Sequence, residues 1–198
     1  MSNDQSRLQL VFDVGGVLAA NLDGFWSGMA ETAKMERSDL RARYKREIGP
    51  GLWRGTVTEE QFWNWLSGVC PAVTTAEAKR LLTRVLVPLP ALGKLERWSA
   101  DADIHILSNH VTAWIMPLFE GLEARISSVT VSSEAGYHKP EPQLYEAAAL
   151  GLNGSDVCFV DDKIANLEAA RKLGWDTLLA DAEGVWTEKI DRMLGTHA

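Results

Sequence analysis

The run Leu8-Gln9-Leu10-Val11-Phe12 leads into Asp13, and Gly15 and Gly16 follow within three residues. This stretch constrains the fold more than any other. A short run rich in Val, Leu and Phe reads as a buried strand. In an open parallel sheet, ligands bind outside the carboxyl ends of the strands, and Asp13 stands at such an end. The glycines permit a tight turn and close approach of the backbone to a ligand. A carboxylate there can ligate a metal, act as a nucleophile, or do both. A plain strand that ends in a turn would carry the same local pattern.

Three later stretches narrow the choice. Ile104-His-Ile-Leu-Ser108-Asn109 is a second apolar strand, ending in a hydroxyl and an amide. Gly136-Tyr-His138-Lys139-Pro140 sets a lysine before a proline and a helical pattern. Val157-Cys-Phe-Val-Asp161-Asp162 is a third strand, ending in paired carboxylates. The order Asp, Ser, Lys, Asp-Asp resembles the four motifs of the haloacid dehalogenase-like hydrolase superfamily, and the resemblance runs from Leu8 to about Asp181.

Strands alternate with helical patterns along the chain, which argues for an α/β fold with a parallel sheet. The expected strands lie near 8–13, 104–107, 126–131, 157–160 and 177–179. Between the first two stand about seventy residues of helical spacing, far more than a crossover needs. They read as an insertion. The expectation is a Rossmann-like core over 1–18 and 88–198, with an all-helical cap subdomain over 19–87. Within the insertion, Thr58 and Gln61 form a capping-box pattern. Ile48-Gly-Pro-Gly51 reads as a helix break, and Gly51-Leu-Trp-Arg54 as a turn. Four of the eight tryptophans fall between Trp26 and Trp65. Phe62 and Trp65 are expected inside, with Trp26 and Trp53 facing a cleft as substrate contacts.

The resemblance implies roles for individual residues. Asp13 would attack phosphorus to give an aspartyl-phosphate. Mg2+ would be held by Asp13, the Gly15 carbonyl and Asp162, with Asp161 behind them or acting through water. Ser108 and Asn109 would bind the phosphoryl oxygens, and Lys139 would supply the counter-charge. Local sequence alone also allows Ser108 to cap a helix near Thr112, and Asp161 and Asp162 to cap the helix that follows them. No catalytic role is expected of His138, which should face away.

One position departs from the family pattern. Superfamily phosphatases usually carry a second aspartate two residues after the first, as acid and base. Here that position is Gly15, and the candidate substitutes are Asp23, if the entry loop folds back, bound water or a group of the substrate. The leading expectation is a Mg2+-dependent phosphatase of a small phosphorylated metabolite. A dehalogenase using Asp13 on carbon, a catalytically weak phosphometabolite-binding protein and, more weakly, a mutase-type phosphotransferase are the alternatives.

Composition bounds the partners. The 198 residues carry a formal net charge of −7, which argues against nucleic acid or an anionic membrane. Two distant cysteines fit a reducing cytoplasm, and no apolar run approaches a membrane span. A monomer or homodimer acting on a small molecule is expected. Residues 1–6 read as a frayed tail.

Overall fold

The computed structural model describes residues 7–195; the tail expected over 1–6 lies outside the described residues. Strand β1 (Leu8–Phe12) is central and buried. Its even and odd positions feed two different cores, as the two-residue period of a strand requires. Leu10 and Phe12 pack with Ile104, Ile106, Cys158 and Val160 on one face. Val11 packs with Leu107, Tyr145 and Phe159 on the other. Covered faces on both sides explain why the strand reads as a near-continuous apolar run. Gln9 is the buried exception, and its amide is satisfied by the Arg7 carbonyl, Asp103, His105 and the Asn153 N–H.

The chain leaves β1 for helices α1 (Asp23–Ala33), α2 (Arg37–Glu47), α3 (Gly49–Trp53), α4 (Glu59–Val69) and α5 (Thr75–Val85). It returns through α6 (Leu95–Trp98) to β2 (Ala102–Ser108), α7 (Thr112–Ile115), β3 (Ile126–Val131), α8 (Ser132–Ala135) and α9 (Pro142–Ala149). The last elements are β4 (Val157–Asp161), α10 (Ile164–Arg171), β5 (Asp176–Leu179) and α11 (Trp186–Met193). The sheet order is β3-β2-β1-β4-β5, with every pairing parallel. The chain therefore builds outward from β1 on one side, then crosses back and builds on the other. The crevice at that reversal, at the carboxyl end of β1, is where such sheets bind ligands.

The helical insertion has its own apolar core, built on Phe25, Met29, Leu40, Leu52, Phe62 and Leu66. Capping boxes start α4, from Thr58 and Gln61, and α5, from Thr74 and Glu77. Its two connections run side by side: Ala20 N–H donates to the Val87 carbonyl at 2.8 Å, and Leu89 N–H to the Leu18 carbonyl at 2.9 Å. Val111 and Trp114, from the β2–α7 region, complete the insertion's core and dock it on the sheet domain.

Two expectations in the insertion need correction. Gly51 to Trp53 are helical rather than a turn; the break at Ile48 redirects the chain into α3, whose early Pro50 costs no hydrogen bond. Trp65 is half-buried rather than inside, because its indole N–H reaches out to the Glu47 carboxylate at 2.9 Å. Trp63 is buried in its place. Cys70 and Cys158 are buried free thiols, and burial pushes the Cys158 thiol up to about 12. Among the described residues, no helix is long and apolar enough to cross a membrane.

Candidate active site

Three strand ends and one loop converge on Lys139. Its side chain is fully buried, and its ammonium donates to the Asp161 carboxylate at 2.6 Å and the Leu107 carbonyl at 2.9 Å. The same ammonium lies 3.0 Å from Asp13 Oδ1. Such a cation is stable only because two carboxylates and a carbonyl replace its water. Asn109 holds the lysine's backbone from both sides: its amide donates to the Lys139 carbonyl at 2.9 Å and accepts the Lys139 N–H at 2.7 Å.

Asp13 is 4% exposed. Its Oδ1 accepts from the Val14 N–H at 2.6 Å and the Ser108 hydroxyl at 3.1 Å, besides facing Lys139. Oδ2 carries none of these bonds. The capping alternative for Ser108 is thereby removed, since α7 has Val111 as its N-cap and no side-chain cap. Asp161 behaves differently. Lys139, the Lys163 N–H and the Asn166 amide occupy both its oxygens. Burial pushes its carboxyl up, and the Lys139 ammonium opposes that shift. The Lys163 N–H bond precedes α10, whose N-cap is Lys163 and which has no side-chain cap, so the helix-capping alternative does not hold for Asp161 or Asp162.

Asp162 is the residue left incomplete. Its Oδ1 is buried without a hydrogen-bond partner, with the Lys163 ammonium 3.6 Å away. Burial pushes its carboxyl up. Burial works against the charge on Lys163, but Asp13, Asp162 and Asp161 outweigh it and hold that ammonium charged. Asp13, Asp161 and Asp162 each offer an oxygen within 4.8 Å of the others. Hard divalent cations take such oxygens. The free Asp13 Oδ2 and the orphaned Asp162 Oδ1 fit that demand, whereas saturated Asp161 fits a supporting place behind them. Gly16 makes the approach possible: at φ +79°, a Cβ there would lie 2.6 Å from Asp162 Oδ2.

A family description, haloacid dehalogenase-like hydrolase, matches residues 10–174, which span all of these groups. The chain belongs to that hydrolase family. The HAD family enzyme BT-2542 of Bacteroides thetaiotaomicron superposes with a TM-score of 0.80 at 18% identity, covering 93% of this chain and 98% of its own. BT-2542 has also been crystallised with magnesium and inorganic phosphate. The L-2-haloacid dehalogenase PA0810 shares the fold at a TM-score of 0.62 and 23% identity, covering 88% of this chain and 84% of its own. Acyl-CoA dehydrogenase family member 10 of Mus musculus is 23% identical over 210 residues, covering 98% of this chain and 20% of its own length. This chain thus spans about a fifth of that relative.

In this haloacid dehalogenase-like hydrolase, a cleft of about 320 Å³ opens over Asp13, Gly15, Ser108, Asn109, Lys139 and Asp162. Trp26 and Trp53 line it, as expected, although Trp26 is also part of the insertion's core. Asp23 reaches the cleft too, but its Oδ1 is engaged by Arg37 at 2.5 Å and by Arg41. A carboxylate bound by two guanidiniums is occupied as an ion-pair partner, which weakens its claim as the missing acid.

His138 is not among the residues that line the cleft. It lies 3.5 Å from the Arg54 guanidinium, which also pairs with Glu141 and so ties the insertion to the Lys139 loop. Sequence reasoning missed His110, which lines the cleft between Trp53 and Trp114 at centroid distances of 5.6 and 5.7 Å. Burial lowers its pKa to about 4, so the ring is neutral at physiological pH. Its position directly after Ser108-Asn109 was the available signal.

Proposed function

We propose that this hydrolase is a Mg2+-dependent phosphatase of a small phosphorylated metabolite, acting through an aspartyl-phosphate on Asp13. The observation that carries the reading is the division of labour among the carboxylates. Asp161 is saturated by Lys139, Lys163 and Asn166, while Asp162 Oδ1 is buried without a hydrogen-bond partner, with only the Lys163 ammonium 3.6 Å away, beside the free Oδ2 of Asp13. A dehalogenase attacks carbon and needs no metal, so it leaves that Asp162 oxygen without purpose. Gly15 favours the dehalogenase on one point only: a departing halide needs no proton.

Three donors hold the Asp13 carboxylate in place through Oδ1. The new bond runs from an Asp13 carboxylate oxygen to phosphorus, and the bond that breaks is phosphorus to the leaving oxygen. Water then attacks the acyl-phosphate and releases inorganic phosphate. Ser108 and Lys139 hold the transferring group and offset its charge. Mg2+ would be held by Asp13, Asp162 and the Gly15 carbonyl, and when bound it offsets the repulsion between phosphate ester and carboxylate. The insertion serves as a cap that excludes water and selects substrate.

The test is hydrolysis of 4-nitrophenyl phosphate with Mg2+ and with chelator, in wild type, Asp13→Asn and Asp162→Asn. Turnover should need the metal and fall by on the order of 10⁴-fold in Asp13→Asn. Full activity of Asp162→Asn in chelator would overturn the metal assignment. An active Asp13→Asn protein would mean that water attacks phosphorus directly.

A further inference from the structure

We infer that the cap side of the cleft holds a second anion-binding subsite, so that the preferred ligand is a small phosphate ester bearing another acidic group, of which a carboxylate is the smallest. The inference rests on the phosphatase reading for the first anion and on different residues for the second.

The argument starts on α2. Arg41, Tyr44 and Lys45 are three and four residues apart, so they share one face of the helix, and all three line the cleft opposite Asp13. The cations along the cleft are not equivalent. Lys139 lies against Asp13 and Asp161, Lys163 against Asp162, and Arg41 against Asp23. Among the described residues, Lys45 alone of these four has no carboxylate partner. Lys45 is exposed to solvent at the cleft, so its ammonium is open to an incoming anion. A dianionic phosphoryl group and a divalent cation would cancel one another at the Asp13 end, so neither uses Lys45.

Tyr44 supplies an independent observation. The residue is 6% exposed, and its hydroxyl has no partner in hydrogen-bond geometry, the adjacent Trp53 indole included. A buried hydroxyl without a partner is costly, and an anionic acceptor in the cleft would complete it. Burial pushes the phenol's pKa up, so it stays a donor. Trp26 and Trp53 supply apolar walls, and a cleft of about 320 Å³ leaves room for a short carbon skeleton between the two anions.

A matched pair of ligands tests this. 3-Phosphoglycerate and glycerol 3-phosphate differ in one group, carboxylate against hydroxymethyl. Their binding is measured by calorimetry on the full-length Asp13→Asn protein, which holds the esters without turning them over. The carboxylate ester should bind about tenfold more tightly, the scale of one charge-assisted hydrogen bond. Adding Lys45→Gln or Tyr44→Phe should shrink that preference, and Lys172→Gln, an exposed charge on α10's far end, should leave it intact. Equal binding of the two esters, a preference that survives Lys45→Gln, or one lost equally in Lys172→Gln overturns the subsite. Absent nitrophenyl phosphate turnover in wild type would refute the phosphatase reading alone, because the ligand preference is measured without catalysis.

Discussion

The sheet's carboxyl edge and the seam under the helical insertion handle polar groups differently. At the edge, the Asp161 carboxylate and the Lys139 ammonium are saturated, and Asp162 Oδ1 is the one buried oxygen there without a hydrogen-bond partner among the described residues. At the seam, Tyr44 Oη, His110 Nδ1 and Trp114 Nε1 are buried with no partner. A saturated network is rigid and fixes the geometry that chemistry needs. A seam of aromatic faces and unmet polar atoms is suited to receiving a ligand, and it can open at lower cost. The difference teaches that the edge holds its charged groups in fixed geometry, whereas the seam is held mainly by aromatic packing.

Gly15 is the place to break that comparison, because it stands where superfamily phosphatases usually carry an aspartate. A Cβ there would meet only Asn21, at 3.9 Å, and the backbone is not left-handed. A Cβ therefore has room at 15, where even an alanine at 16 would strike Asp162. With no acid in wild type, phosphorylation of Asp13 should be far faster from nitrophenyl phosphate than from alkyl phosphates. Gly15→Asp should then raise single-turnover phosphorylation by alkyl esters about 10²-fold, within the range of general acid catalysis. Equal rates for both ester classes in wild type would show that another group already supplies the proton.

Much of the edge was legible in the sequence, because its residues come from strand ends with fixed register. Asp13, Ser108, Lys139, Asp161 and Asp162 arrive by periodicity plus one loop, and the structure brings all five together. What the sequence could not separate was Gly15 from Gly16, since only the packed Asp162 side chain shows which one lacks room for a Cβ. The seam was much less legible. Arg54 meets Glu141 across 87 positions, a pairing that depends on how the insertion docks rather than on spacing. His110 looked like an ordinary strand-end residue until Trp53 and Trp114 closed around it.

His110 sharpens the comparison through pH. Burial lowers its pKa from 6.5 to about 4 in the fold. Between those values the unfolded chain binds a proton that the folded chain does not, so stability falls as pH drops from about 6.5 toward 4. At pH 5 the loss from this ring is about 2 kcal/mol. Urea unfolding of wild type and His110→Phe at pH 7 and pH 5 measures it. The variant should lose less on acidification, by about that amount, and an identical loss in both proteins would mean that the ring is not held neutral at the seam.

The smallest expected effect concerns the ion pair that spans the seam. Arg54 and Glu141 side chains are 36% and 26% exposed, so water screens their attraction. A pair of this kind contributes about 0–1 kcal/mol. The pair nevertheless sits beside the Lys139 loop, where Glu141 also accepts the His138 N–H at 3.0 Å. Close packing helps it: at Gly55, φ +70°, a Cβ would lie 1.9 Å from the Ser133 carbonyl, so backbone meets backbone just past Arg54. A double-mutant cycle with Arg54→Gln and Glu141→Gln should give a coupling below about 1 kcal/mol by urea unfolding. Such a value would place the seam's cohesion in the apolar contacts of Trp53, Val111 and Trp114, and leave the insertion free to open without breaking a strong electrostatic lock. A coupling of several kcal/mol would reverse that conclusion and make the seam as tightly fixed as the edge.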